Sequence, residues 1–431
     1  MADRRRLPPA LRPFRIGQYR ILTVALVLSM LGAGTWLVAV VFEVRALGGG
    51  PIELSFIATA AAVGILVAVV FGGVVADRVP QKRILVTVEA TKTVTIVVIA
   101  TLALTGNIEV WHLAVAGVVL GLADGFFYPA YSALLPSVLP ADELLAANGI
   151  EGMLRPTIMQ ALGPVVAAAA VAVASPALAF AIVGVAQALA VAGLLFLRPT
   201  RVRRDFDEAE QQRHPVVGFV VDLREGVRYI AKTRWLLASL LSASVIVFFI
   251  MGPIEVLLPF AVTEQTGGGA AEFAFVLAAF GAGGAISSIV VASVRLPRRY
   301  LTVMLIAWGL ASAPLAVIGV TDQLWVMALA VFTVGVGFGV AQVIWGTILQ
   351  RRVPPALLGR ISSLDFFTTL VFMPVSMALA GPIGEAIGFA PTFLLAGLAP
   401  PVVTVVVIFV ARLGRDEIAN PLRSDPVLGA S

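Results

Sequence analysis

Apolar residues fill stretch after stretch of about 20 positions between Ile21 and Val410, and Gly, Pro and charged residues gather in the short breaks between them. A helix needs roughly 20 apolar residues to cross the hydrocarbon core of a bilayer, whereas the strands of a membrane barrel would alternate apolar and polar. The pattern predicts an all-α integral membrane protein with twelve spans, at 21–42, 53–76, 84–105, 110–135, 149–174, 177–197, 236–262, 271–293, 301–320, 324–348, 362–387 and 391–413. The first stretch is too long for the apolar core of a signal peptide and is the first span. One long segment, RPTRVRRDFDEAEQQRHPVVGFVVDLREGVRYIAKTRW, is too charged for lipid and divides the spans into two groups of six. The expected organisation is a basic tail over 1–20, a six-helix bundle over 21–197, a linker over 198–235, a second bundle over 236–413 and a tail over 414–431.

Composition agrees: 59% of the residues are apolar and 13% charged, which a soluble domain, about half apolar and a quarter charged, does not match. Charge then orients the chain. Of 30 Lys and Arg, 27 fall in the two tails and the loops on one side, Arg45 alone lies on the other, and Lys92 and Arg155 lie within spans. By the positive-inside rule the tails and the linker are cytoplasmic in a cell (inner) membrane. The net charge of +5 needs no nucleic acid, because these cations border anionic headgroups of the lipid bilayer. With no Cys and two His, disulfides, iron–sulfur clusters and thiolate zinc are excluded, and neither a metal nor a cofactor is expected. The segments GGG at 48–50 and GGGA at 267–270 lack the Lys-Ser/Thr of a phosphate loop, and the linker is too short for an ATPase domain, so no nucleotide site is expected. Energy is expected from an ion gradient.

The two halves repeat. DRVPQKRIL between the second and third spans returns about 217 residues later as VRLPRRYL, with Arg295 in the place of Arg78. LLPSVLPADELLAANGI is echoed by ILQRRVPPALLGRISSL, and Gly163-Pro164 in the fifth span by Gly381-Pro382 in the eleventh. Parallel six-helix repeats of this kind enclose a central cavity and rock to give alternating access.

These residues resemble the major facilitator superfamily over about residues 15–413. The signature between the second and third helices is met by Gly73, Ala76, Asp77, Arg78, Lys82 and Leu85 in GGVVADRVPQKRIL. It departs at Pro80 and Gln81, where the family usually has Gly and Arg, which weakens the charge relay attributed to this turn or moves it to Arg83. The exporter landmark, a Gly-Pro in the fifth helix followed by small residues, is met in part by ALGPVVAAAA. FFYPAYSALLPSVLPADELLAANG is similar to the macrolide-efflux and enterobactin-exporter branch of drug:proton antiporters. The resemblance implies twelve helices, export from the cytoplasm and protons as the coupling ion.

Charged side chains inside spans cost about 2.5–3.5 kcal/mol at the bilayer centre on the insertion scale, so each should face protein or water. Asp124, in GLADGFF, is the most informative: it is either a carboxylate that takes up and releases a proton or contacts substrate, or one that only pairs with a cation. The candidate cations are Lys92 and Arg155, each with a carboxylate on its own helix face, Glu89 at i−3 and Glu151 at i−4. Glu255 is expected near the outer mouth, as a proton site or an interfacial residue, and Asp365 in the first turn of its helix. Glu43, Glu53, Glu109, Glu264, Glu272 and Asp322 are expected to be solvated. Asp77 can meet the N-terminal end of the eleventh span beside Ser362 and Ser363 and latch the cytoplasmic side, or be a plain solvated charge. The same choice between gate and ordinary basic loop holds for Arg78 and Lys82. Gly163, Pro164, Gly381 and Pro382 are expected to kink their helices or pack them tightly.

The function expected is a proton-coupled exporter of amphipathic small molecules or drugs, acting as a monomer. The alternatives are a dedicated exporter of one endogenous metabolite such as a siderophore and, more distantly, a non-transporting membrane sensor. An enzyme is not expected, because no His- or Cys-based catalytic set exists.

Overall fold

In the computed structural model, residues 9–140, 143–198, 215–294 and 296–421 are described. Twelve helices among them are long and apolar enough to cross a membrane. The first group is α1 (Gly17–Ala46), α2 (Pro51–Arg78), α3 (Gln81–Leu104), α4 (Val110–Val138), α5 (144–173) and α6 (Pro176–Leu195). The second is α8 (Arg234–Thr266), α9 (Ala270–Ser293), α10 (Tyr300–Ile318), α11 (Leu324–Arg352), α12 (Pro355–Ile387) and α13 (Phe389–Val410). Between them α7 (Pro215–Lys232) turns part of the expected linker into a helix, and α14 (Leu413–Ala419) closes the described chain. Helix α10 breaks after Leu310, whose carbonyl Pro314 cannot serve for want of an N–H; the Ala313 N–H donates to it instead at 3.0 Å, and the Ser312 hydroxyl donates to the Gly309 carbonyl at 2.7 Å.

The face on which α1 begins carries the basic loops and is called the basic face below. At the opposite face the repeat is visible in detail. Gly48 and Gly267 end α1 and α8 with φ of +79° and +68°, a left-handed conformation that favours glycine. Two residues on, the Gly50 and Gly269 N–H groups donate to Glu53 and Glu272 at 2.7 and 2.6 Å. These two carboxylates are therefore helix caps rather than merely solvated charges, and Glu43 is buried in the last turn of α1.

Among the described residues the buried core has three large parts, besides a small cluster of Ile96, Leu120 and Val183 in the first bundle. One draws on both bundles, from Val38–Val44 and Leu54 to Ile246, Leu257, Phe273 and Met377, and lies in the half nearer the opposite face. The other two lie toward the basic face, one built from the first bundle only and one from the second only. The bundles therefore share a core at the opposite face and keep separate cores at the basic face. Helices α2 and α12 pack across the divide, as do α5 and α9.

Within each bundle, glycines let helices approach to backbone contact, as membrane helices do where lipid offers no hydrophobic drive. A Cβ on Gly121 of α4 would collide with the Ala61 carbonyl of α2, and one on Gly335 of α11 with the Phe280 carbonyl of α9. Gly121→Leu is expected to cost about 1–3 kcal/mol by overpacking, read as a lower melting temperature of the detergent-solubilised protein. Gly152→Leu, where nothing lies within 4 Å, serves as the control and should melt like the parent.

Candidate functional site

Helix α3 places Glu89 and Lys92 on one face at i,i+3, and α1 and α4 close over them with Ser29 and Asp124. The Lys92 ammonium lies 2.5 Å from Asp124 Oδ1, 3.3 Å from Glu89 Oε1 and 3.3 Å from Ser29 Oγ, which uses its three donors. Ser29 in turn donates to Glu89 Oε1 at 2.7 Å. The Phe127 ring centroid is 5.1 Å from the ammonium. Exposure grades across the set: the Glu89 side chain is 0% exposed, Lys92 4% and Asp124 36%. Glu89 is sealed, Asp124 is reached from outside, and Lys92 bridges them. Two carboxylates share one ammonium, so the cluster holds one negative charge in excess when both are ionised. A proton or cation arriving at Asp124 restores neutrality and leaves Lys92 to Glu89 alone. The second oxygen of Glu89 has no hydrogen-bond partner in this arrangement.

The other expected local pair does not form. Glu151 and Arg155 make no ion pair; the Arg155 guanidinium instead lies 4.3 Å over the ring of Tyr128 on α4. The i,i+4 rule presumes an unbroken α-helix, but α5 changes to a π-helical segment at Arg155–Leu162, and the cation–π contact draws the side chain to α4. Asp124 and Tyr128 lie one turn apart on α4, so Lys92 and Arg155 meet the same helix face. The π segment ends at Gly163-Pro164. Gly163 abuts Gly34 of α1, and Thr35 Oγ1 donates to the Gly163 carbonyl at 3.2 Å, so α5 is pressed against α1 here.

In the second bundle Glu255 sits in a π-helical segment of α8, Pro253–Leu257. Its neighbours Ile254, Val256 and Leu257 are buried, and Glu255 meets no hydrogen-bond or ion-pair partner among the described residues. Ser376 of α12 mends the backbone before this segment, donating to the Phe248 carbonyl at 2.5 Å and accepting the Gly252 N–H at 2.7 Å. Asp365 is not in a first turn: α12 begins at Pro355, and the Asp365 carboxylate accepts the Trp345 indole N–H at 2.8 Å. Gly381 donates its N–H to Ser55 of α2 at 2.7 Å and abuts the Pro51 carbonyl, and α12 runs on through Pro382 as an α-helix.

The early start of α12 also moves the helix N-terminus expected to meet Asp77, because Ser362 now lies inside the helix. The side chains of Asp77 and Arg78 and the surroundings of Gly73 lie outside the described residues. Lys82 is described, and it reaches the C-terminal end of α6, donating to the Leu195 carbonyl at 2.8 Å and to that of Leu197. Cations suit the negative end of a helix dipole, so Lys82 ties the turn to its own bundle. Ser29, Thr35 and Ser376 escape sequence reasoning, since a hydroxyl inside an apolar run carries no signal of its partner. Among the described residues no group of three or more His, Asp or Glu is placed to hold a metal ion.

Comparison with known proteins agrees with this architecture. The chain is 23% identical over 378 residues to macrolide efflux protein A of Streptococcus pyogenes, covering 86% of this chain and 90% of that one. It is 24% identical over 404 residues to the multidrug efflux pump Tap of Mycolicibacterium fortuitum, covering 90% and 95%. Among solved structures, that of a peptide transporter, POT, superimposes with a TM-score of 0.72 at 16% identity, over 92% of this chain and 94% of that one. The nucleoside transporter NupG superimposes with a TM-score of 0.69 at 12% identity, over 91% and 99%. Two bundles of six helices, sequence repeats between them and a match of residues 22–371 to the Major Facilitator Superfamily leave one conclusion: this chain is a multi-pass membrane transporter and belongs to that family.

Proposed function

We propose that the protein is a proton-coupled exporter of amphipathic small molecules, working by alternating access with its basic face in the cytoplasm. The observation that carries the reading is Lys92 held between a sealed carboxylate, Glu89, and an accessible one, Asp124. In the ionised cluster Lys92 is shared between the two carboxylates and one negative charge is left over. A proton taken up at Asp124 releases Lys92 to Glu89, which changes how α3 and α4 are tied together and biases the bundle arrangement. Proton uptake and substrate binding then favour opposite bundle arrangements, which is the elementary requirement of an antiporter. Three further features support the reading: separate cores at the basic face, which suit a cavity opening to the cytoplasm; the basic loops on that face; and efflux pumps among the relatives.

The test is transport by purified protein in proteoliposomes with an imposed proton gradient, offered lipophilic cations, macrolides, tetracyclines and siderophores. Substrate is expected to move against the proton flux, and each productive substrate to cause proton movement of its own. Absence of substrate-dependent proton movement for the whole panel would overturn the coupling. Movement of a siderophore alone would turn the reading to a dedicated metabolite exporter.

A further inference from the structure

Arg45 is the sole cation that the charge map leaves on the opposite face, and the structure gives it a partner in the other bundle. It stands in the last turn of α1, whose end is fixed by the glycine turn: the Leu47, Gly48 and Gly49 N–H groups bond to the Glu43, Arg45 and Val44 carbonyls. From that rigid root the guanidinium crosses to α8, where it donates to the Thr263 hydroxyl and lies 5.9 Å from the Phe260 ring centroid. Thr263 is buried and prepared to accept, because its hydroxyl proton is directed at the Pro259 and Phe260 carbonyls, at 3.0 and 3.1 Å. Matching the glycine turns of the two halves puts Arg45 opposite Glu264 and Val44 opposite Thr263. The contact thus joins equivalent ends of α1 and α8, close to where a pseudo-twofold axis must pass.

We propose that Arg45 is the latch of the opposite face: its bond to Thr263 holds the bundles together there and must break each time that face opens. The inference rests on the alternating-access reading above, and it adds a positioning residue that the buried charge cluster does not contain. The chemistry suits a reversible latch. A guanidinium on a neutral hydroxyl at an exposed rim makes one charge-assisted bond and can return to water, whereas a buried carboxylate partner would hold it far more firmly. The second seam on this face, Gly381 N–H to Ser55, joins backbone to a small hydroxyl and can reform after the helices slide.

The chain has no cysteine, so Ser55→Cys places one thiol in a seam where residue 55 is 3% exposed. In lipid nanodiscs, its rate of reaction with a hydrophilic maleimide reports how often α2 and α12 part. Adding Arg45→Ala is expected to raise that rate about tenfold to a hundredfold, the range for loss of a hydrogen bond to a charged group. Arg45→Lys, which keeps a donor, should stay within about threefold of the parent. Thr263→Val, which removes the acceptor at nearly constant shape, should act like Arg45→Ala and serves if that variant fails to fold. Unchanged labelling in both Arg45→Ala and Thr263→Val overturns the latch. The measurement needs neither substrate nor proton gradient. Faster labelling in a protein that transports nothing would keep the latch and remove the exporter reading, and normal transport with unchanged labelling would do the reverse.

Discussion

Asp124→Asn is expected to lower proton-driven transport by roughly a hundredfold or more, the scale of losing a positioned proton-transfer group, while the protein folds normally and still binds substrate. Asparagine keeps the size and hydrogen-bonding shape of the carboxylate but takes up no proton. Lys92 would then belong to Glu89 at every pH, 3.3 Å away on the same helix, and the cluster would be fixed in the arrangement that a proton otherwise induces. Uphill movement requires both arrangements; exchange of substrate down its own gradient requires only that the protein can rock. The variant should therefore lose gradient-driven accumulation and retain counterflow exchange, both read in the same proteoliposomes. Equal pumping by variant and parent would make Asp124 structural and pass the coupling role to Glu255, Glu89 or Glu151.

What was legible in the sequence follows from which forces are local. Membrane crossing depends on the length and polarity of one segment, so the twelve spans could be placed before any contact was known, and the pairing of Glu89 with Lys92 follows from helix spacing alone. The same spacing misleads at Glu151 and Arg155, because Tyr128 on another helix competes for the guanidinium and the π segment breaks the expected register. The start of α12 is missed for a related reason. Positions 355–361, with Arg360 among them, look like loop, yet the helix carries these residues past the membrane border, and Pro355 sets its first turn. Helix α7 hides in a charged linker because its stability comes from packing against α8 and α12, with Ile230 buried while Arg224, Arg228 and Lys232 face outward. Asp124 was singled out from cost alone; its distance to Lys92, and the graded exposure that gives the cluster a direction, belong to tertiary structure.

Lys92→Met should be the most destabilising single change at the site. The thioether approximates the volume of the lysine stem, so little packing is lost, but Glu89 is left fully buried without a cation. Removing one partner of a buried pair typically costs about 3–5 kcal/mol, because the other charge remains uncompensated. The melting temperature in detergent should fall accordingly, and adding Glu89→Gln should recover at least half of the loss, since the stranded charge is then gone. A Lys92→Met protein that melts like the parent would mean that the cluster does not hold a buried ion pair at all. The double variant also separates two roles that Asp124→Asn alone cannot. It retains Asp124 and its access to solvent while removing the cation that Asp124 hands over. If Asp124 only binds substrate, the folded double variant still pumps. If Lys92 is the element switched, it binds substrate, exchanges it downhill and fails to accumulate it against a gradient, as Asp124→Asn does.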